Sequence, residues 1–407
     1  MNKRNFIKSV LFLGASASVP TFPETASGND ASAPRDALPD LADDKFVSPD
    51  GHGFMSDAIH LGEQPGFSVT PIYQAKNVNG GYQRPPHNPT VSGFEVKIRS
   101  LEGGEHAVSA PCGMSIITQT WLTVLSTGDR IVTHRCVYDN VMNLMRDHLP
   151  RFGIEVVRVD MNDLGALRAA LLEKKTRVVH FEPYVNPTCE VLDAPAIIRM
   201  AKEAGALCIV DNTWLTPYLF QPLRRGADLV LHSATKYLGG HGSAMGGVVC
   251  GSKELVSRIE KTIGVMGGII RPFDAFLLTQ GVKTLRMRMK EHTASVLAVA
   301  RFLETHPKVA RVRYGGLPSW DGHKIATLYL RGCGGMMGVE WKDSATHDSF
   351  GTRLKLCKPW VSLGDVVTLV SKRTPEPDRA IPERYTRISI GLEDTADIIA
   401  DFKQALA

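Results

Sequence analysis

The sequence predicts an α/β protein: a mostly parallel sheet sandwiched by helices, followed by a smaller C-terminal α/β domain. Two observations carry this expectation. Between Arg130 and Ser233, short apolar runs alternate with amphipathic stretches of helical period. That is the pattern of strands buried on both faces and joined by covering helices. The chain is also 407 residues long, more than one core of about 100–200 residues accommodates, so two domains sharing an interface are expected.

Residues 1–54 stand apart from this pattern. A basic start (Lys3, Arg4, Lys8) runs into the apolar and small stretch Ser9–Ala17, then Pro20 and a polar tract. Basic, apolar, small is the order of an export leader, and Lys3-Arg4-Asn5-Phe6-Ile7-Lys8 is similar to a twin-arginine signal with lysine for the first arginine. The expectation is an exported, periplasmic protein with its leader in residues 1–30; the alternative is a cytoplasmic protein in which this stretch is a disordered extension or a misassigned start, Met55 serving as the beginning. The remainder divides into a segment 55–110, a sheet-bearing domain 111–300 and a C-terminal domain 301–407.

Gly113-Met114-Ser115 opens an apolar helical stretch, Ile116 to Leu125. Strands are expected at Arg130–His134, Ile154–Asp160, Thr176–Glu182, Ala206–Asp211 and Asp228–Ser233. Helices are expected at Val141–Phe152, Asp163–Lys174 with Asp163 as N-cap, and Ala194–Gly205. Phe273–Thr305 reads as one long helix bridging to the second domain. Beyond it, Val309–Ala407 forms the smaller unit, closed by a helix at Thr395–Leu406. Pro375, Pro377 and Pro382 mark Ser371–Arg384 as a loop. No internal repeat is found.

Composition narrows the function. The chain is 43% hydrophobic and 22% charged, with a dispersed formal net charge of +5. No Lys/Arg run has the density of a nucleic-acid footprint, and no apolar stretch reaches the roughly 20 residues of a membrane span. The seven cysteines are scattered and form no C-x-x-C pair. They read as buried small apolar residues rather than as a disulfide framework or a metal site.

Chemistry concentrates where strands end, since open parallel sheets bind ligands at the carboxyl ends of their strands. Glu182, Asp211 and Ser233 fall there. Ser233-Ala234-Thr235-Lys236, followed by Gly239, Gly240 and Gly242, puts a lysine among apolar neighbours. Such a lysine sheds its proton readily and becomes a nucleophile toward aldehydes, while the flanking hydroxyls suit a phosphate. A surface lysine before a tight turn is the alternative. Asp211 at the tip of an apolar strand suits a protonated pyridine nitrogen, or else it caps the next helix. Gly113 at a helix start offers free backbone N–H groups to a phosphate, although glycine before a helix is ordinary.

These residues resemble the trans-sulfuration (Cys/Met metabolism) family of pyridoxal 5′-phosphate (PLP) enzymes, which includes cystathionine synthases and lyases and methionine γ-lyase. The resemblance runs from about Ala58 to the C-terminus. It rests on Leu101-Glu102-Gly103-Gly104, Gly113-Met114, Asp211-Asn212-Thr213 and Gly226–Tyr237. Pro272-Phe273-Asp274-Ala275, Val361-Ser362-Leu363-Gly364 and Arg387–Asp394 complete it. It implies the aspartate-aminotransferase-like fold type I and PLP as cofactor, carried by domain 111–300, with 301–407 on the substrate side.

The resemblance also implies roles. Lys236 would hold PLP and then remove the substrate's Cα proton, Asp211 would pair with the ring nitrogen, and Tyr138 would stack on the ring and assist proton transfer. Gly113, Met114, Ser233 and Thr235 would bind the phosphate. Tyr82 and Arg84, in the arm 55–110, would reach the phosphate of a neighbouring subunit, which implies a homodimer at least and a homotetramer by family habit. Asn186 would lie by the cofactor's 3-oxygen and the substrate carboxylate, and Arg387, helped by Ser362, would clamp that carboxylate. Read without the family, Tyr138 is a core aromatic and Arg387 a structural salt-bridge partner.

Departures from the family pattern cluster at the substrate. The usual Tyr-x-Arg-x-Gly-Asn-Pro-Thr is one residue longer here, Tyr82 to Thr90. Cys112 replaces a small hydroxyl residue, Asn140 stands where methionine γ-lyases carry cysteine, and Val367 stands where many members have glutamate. The Ser371–Arg384 loop does not match the usual segment at the substrate mouth. The expected activity is a carbon–sulfur lyase, by β- or γ-elimination, acting on cystathionine, methionine or a relative. The alternatives are a transferase joining an O-acylated homoserine to a thiol, and a PLP-binding protein without activity.

Overall fold

The computed structural model describes residues 51–407, apart from 79, 86 and 87. The leader reading of residues 1–54 therefore lies almost entirely outside the described residues, as does part of the lengthened Tyr82–Thr90 segment. Helix Phe54–His60 leads to a two-strand hairpin, β1 (Asn77–Val78) and β2 (Gly81–Tyr82), and then to helix Pro89–Glu102. The central sheet has seven strands: β3 (His106–Ala110), β4 (Arg130–His134), β5 (Glu155–Val159), β6 (Val178–Phe181), β7 (Leu207–Asp211), β8 (Leu229–Ser233) and β9 (Gly247–Gly251). Their order is β3-β9-β8-β7-β6-β4-β5. All run parallel except β9, which pairs antiparallel with both β3 and β8.

Alternating side chains along these strands enter two separate apolar clusters, as the two-residue period of a strand requires. Val178, Ile209 and Leu229 belong to one, while Val179, Cys208 and Val210 belong to the other. Both faces of the sheet are thus covered, which is the expected sandwich. The consequence for function is an adjacency: β8, β7, β6 and β4 lie side by side, so the segments leaving their carboxyl ends converge on one place.

The smaller unit holds β10 (Val309–Arg313), β11 (Met336–Trp341), β12 (Leu369–Arg373) and β13 (Tyr385–Ser389), in the order β10-β11-β13-β12. Every pairing is antiparallel. Arg387 sits in β13 between β11 and β12, and helix Thr395–Ala405 closes the chain. Among the described residues no helix is long and apolar enough to cross a membrane.

Three expectations are corrected. Val141–Phe152 is not one helix but an α-turn Asp139–Asn143, a π-turn Leu144–His148 and a 3₁₀ turn Leu149–Phe152. Pro150, lacking an N–H and crowding the preceding turn, cannot continue the α ladder. Phe273–Thr305 is two helices, Pro272–Lys283 and Leu285–Glu304, parted at Thr284. There the guanidinium of Arg288 takes the Gly281 carbonyl at 2.6 Å and the Tyr237 carbonyl at 2.7 Å. Finally, Ser371, Lys372 and Arg373 are not loop: they pair with Arg387, Thr386 and Tyr385. The irregular part is 374–384, with a 3₁₀ turn at Pro377–Arg379.

A buried polar clamp ties the ligand-facing strands together. Glu102 and His232 are fully buried, and His232 Nε2 lies 2.7 Å from Glu102 Oε1. Asn212 Nδ2 donates to the same oxygen at 3.0 Å. One carboxylate therefore pins the residues next to both Asp211 and Ser233. Glu102→Ala would leave His232 Nε2 without a partner in the core, while Asn212 keeps its bond to the Phe220 carbonyl. Leaving a buried polar group unsatisfied costs about 1–3 kcal/mol. Urea unfolding should show that loss, with Glu102→Gln, which keeps an acceptor, losing less than half as much.

Candidate active site

A cavity of about 700 Å³ opens at the carboxyl ends of β8, β7, β6 and β4 and is closed on its far side by the smaller unit. Of the residues singled out in the sequence, Lys236, Asp211, Tyr138, Gly113, Met114, Ser233, Thr235, Asn186, Ser362 and Arg387 all line it. Tyr82 and Arg84 do not. Tyr82 is 68% exposed on the surface, and Arg84 Nη1 bonds the Gly264 carbonyl at 2.9 Å.

Lys236 follows β8 by three residues, and its Nζ donates to Ser362 Oγ at 2.8 Å. It is not a surface lysine. Burial pushes its pKa down, and the nearby Arg387 charge adds to that, against an opposing pull from Asp365. A lysine so placed is more easily neutral, which is what a base or nucleophile requires.

Asp211 ends β7 and is buried. Its Oδ1 accepts from Thr213 N at 3.0 Å and Thr213 Oγ1 at 2.5 Å. It does not cap the following helix, Thr216–Leu219, whose N-cap is Leu215. Among the described residues Oδ2 has no hydrogen-bond partner, so one oxygen is held and the other is free toward the cavity. Burial pushes its pKa up, against the Thr213 bonds. A buried acid with a free oxygen lacks a cation.

Glu182 is the acid beside it. Oε1 accepts from Tyr138 N and Oε2 from Asn186 N, both at 2.7 Å. Its carboxylate thus sets the backbone of two site residues at once. Burial, then the charge of Asp211, pushes its pKa up to about 8. A folded-state pKa above the unfolded value near 4.3 means stability is present at low pH and declines as pH rises toward about 8. Glu182→Gln, which does not titrate, should flatten that decline between about pH 5 and pH 8. Thermal melts of the PLP-free proteins across this range measure it.

Tyr138 is 38% exposed, a cavity residue rather than a core aromatic, and its hydroxyl accepts from Asn140 Nδ2 at 3.1 Å. Arg387 is 5% exposed yet has no carboxylate partner among the described residues. Nη1 donates to Asn186 Oδ1 and Nη2 to the Ser362 carbonyl, each at 2.7 Å. Its Nε is buried without a partner. A structural salt bridge would have supplied an acid; two neutral acceptors instead orient the guanidinium and leave its charge uncompensated.

At the other end of the cavity, helix Gly113–Val124 begins. Cys112 caps it, its Sγ accepting from Ser115 N at 3.4 Å, and so does the work of the usual hydroxyl. The N–H groups of Gly113 and Met114 have no acceptor among the described residues. A Cβ on Gly113 would lie 2.7 Å from Ser233 Cβ, so only glycine lets the helix start close against β8. The Ser233 hydroxyl has no hydrogen-bond partner among the described residues, whereas Thr235 Oγ1 exchanges bonds with Gly246 N and O at 3.0 and 3.2 Å. The residues fit PLP: an anion cradle at Gly113–Met114, a free carboxylate oxygen on Asp211 for a cationic ring nitrogen, and a lysine of lowered pKa between them.

Sequence reading missed Thr213, which holds Asp211, and the bonding role of Glu182. It also missed Asp139, Arg373 and Arg379, which meet beside Tyr138. The Asp211-Asn212-Thr213 run was a signal for the first; the others depend on contacts between distant segments.

Comparison with known proteins gives a concordant result. Residues 66–407 match the model of the Cys/Met metabolism PLP-dependent enzymes. The chain is 38% identical to an L-methionine gamma-lyase of Pseudomonas putida over 388 residues, covering 87% of this chain and 97% of that protein. It is 38% identical over 334 residues to an O-succinylhomoserine sulfhydrylase of Pseudomonas aeruginosa, covering 79% and 82%. The crystal structure of cystathionine gamma-lyase from Lactobacillus plantarum complexed with L-serine superposes with a TM-score of 0.83 at 30% identity, covering 87% of this chain and 98% of that one.

Proposed function

The chain belongs to the Cys/Met metabolism family of PLP-dependent enzymes, and on that premise we propose that this carbon–sulfur lyase performs γ-elimination on thioether amino acids. A thioether of homocysteine and one water would give a thiol, 2-oxobutanoate and ammonia. The observation that carries the reading is the convergence of Lys236, Asp211 and Arg387 on one cavity. Relatives named methionine gamma-lyase favour γ- over β-elimination.

Each residue has a task its geometry suits. Arg387, held flat by Asn186 and Ser362, binds the substrate's carboxylate and so fixes which bond at Cα faces the lysine. Lys236 Nζ removes the Cα proton and, for γ-elimination, a Cβ proton as well. Ser362 holds that amine in place between transfers. Tyr138 lines the same cavity, and its hydroxyl would pass a proton to the leaving sulfur. With PLP bound, Asp211 would keep a proton on its ring nitrogen, and Gly113, Met114 and Ser233 would hold its phosphate. PLP, when bound, supplies the electron sink that makes the Cα proton acidic.

The test is product identification. PLP-loaded protein is incubated with methionine, with cystathionine, and with O-succinylhomoserine plus a thiol. Release of 2-oxobutanoate from a thioether is expected. Pyruvate in its place would overturn the γ-specificity, and a new thioether without keto acid would establish the transferase reading, which the sulfhydrylase relative favours as second. Self-association is part of the proposal: Tyr82 and Arg84 lie outside their own cavity, as a contribution to a neighbouring subunit requires. Export is proposed on the order of residues 1–30 alone, and N-terminal sequencing of the mature protein tests it.

A further inference from the structure

Taking the lyase reading as premise, we propose that Arg373 is an anion-binding subsite for the far end of the substrate's side chain. Preferred substrates are then thioether amino acids carrying a second carboxylate. Arg373 ends β12, directly before the irregular 374–384 segment, and lines the cavity with Arg387. The two arginines are neighbours across the β12–β13 pair, where Arg373 faces Tyr385 and Ser371 faces Arg387. They are close enough that the charge of Arg373 depresses the pKa of Arg387 beyond what burial does.

An arginine brought into a cavity wall needs acceptors. Arg373 has one: Nη2 donates to Asp139 Oδ2 at 2.7 Å. Its Nε and Nη1 have no acceptor among the described residues. Asp139 does not compensate it fully, because Oδ1 is taken by Arg379 Nη2, also at 2.7 Å. Arg379 is anchored further by the Val137 carbonyl at 2.8 Å and by Glu376. Asp139 is therefore shared, and it is fixed in place from behind by the 374–384 segment.

The position suits a side-chain terminus rather than the α-carboxylate. Asp139 and Asn140 follow Tyr138 directly, and both line the cavity with Arg373. With Arg387 holding one carboxylate, a second, several atoms away, meets the open N–H groups of Arg373 as a charge-assisted pair. A neutral terminus gains nothing there and a cationic one is repelled. Arginine's planar fork, unlike a lysine, rewards a carboxylate in particular.

The experiment compares two thioethers that differ only in the terminal group, S-carboxymethyl-L-homocysteine and L-ethionine. PLP-loaded wild type, Arg373→Gln and Asp139→Asn are assayed for 2-oxobutanoate. Binding is followed in parallel by the absorbance of the bound cofactor. The wild type should favour the carboxymethyl compound in kcat/KM, and Arg373→Gln should lower that preference by about tenfold or more, the effect of one charge-assisted hydrogen bond. Asp139→Asn, which frees Arg373 from its competitor, should raise it. A purely structural role for the cluster would weaken both compounds together in both variants. An unchanged preference in both variants overturns the proposal. If neither compound yields keto acid, the lyase reading fails, while the ratio of dissociation constants still decides the subsite.

Discussion

Lys236→Ala is expected to lower turnover of any thioether substrate by roughly 10³-fold or more, since general-base transfer alone contributes about 10²–10⁴-fold and the covalent anchor of the cofactor goes with it. The fold should survive. Burial already disfavours the ammonium, and Arg387 disfavours it further, so deleting it removes a poorly solvated charge and orphans only the Ser362 hydroxyl. The melting temperature should change little. Lys236→Arg separates charge from chemistry: a guanidinium keeps the cation but does not release its proton near neutral pH, so it should be as inactive as alanine. Keto-acid release and thermal melts measure both variants. Wild-type turnover by either one would remove Lys236 from the reaction and with it the proposed mechanism.

What the sequence revealed about this site follows from how strands present side chains. Asp211, Ser233 and Glu182 were legible as strand ends because an apolar run that stops at a polar residue has few other meanings in a doubly covered sheet. The alternation that predicted the sheet is the alternation that splits Val178 from Val179 between two apolar clusters. Adjacency was another matter. That β8, β7, β6 and β4 stand side by side is a property of strand order, and it is what turns separate strand ends into one cavity.

The misreadings share a cause. A helix of unbroken periodicity parts at Thr284, where Arg288 bonds the Gly281 carbonyl alongside Thr284 itself. Ser371–Arg373 read as loop from the prolines that follow, yet pairing with β13 extends the strand to Arg373 itself. Glu182 binds the backbone of Tyr138, 44 residues away. Asp139 gathers arginines from a segment more than two hundred residues distant. At Ser371–Arg373 the backbone pairs with a distant strand, and in the other cases a polar side chain reaches a backbone group or charge; hydrophobic patterning registers neither.

Asp211→Asn should reverse sign between the empty and the loaded protein. In the PLP-free state Asp211 and Glu182 are two buried acids side by side, and burial pushes the pKa of both upward. Because the folded pKa of Asp211 exceeds its unfolded value, its stabilising contribution is present at low pH and is lost as pH rises through the folded pKa. Asparagine does not titrate. The PLP-free variant should therefore melt above the wild type at neutral and alkaline pH, with the gap closing in acid. Bound PLP inverts the order. Its ring nitrogen, once protonated, is the cation that Asp211 Oδ2 lacks, and an asparagine there offers at best a neutral hydrogen bond. Bonds to charged groups contribute about 1.5–3 kcal/mol against roughly 0.5–1.5 for neutral ones, so PLP affinity should fall by about tenfold. Turnover should fall further, by roughly 10²–10³-fold, because the ring gives up its proton and draws electrons from Cα less strongly. Melting curves with and without PLP, followed by keto-acid assays at saturating PLP, measure the crossing and the loss. A variant less stable than wild type in both states would mean that Asp211 serves the fold through Thr213 and not the cofactor.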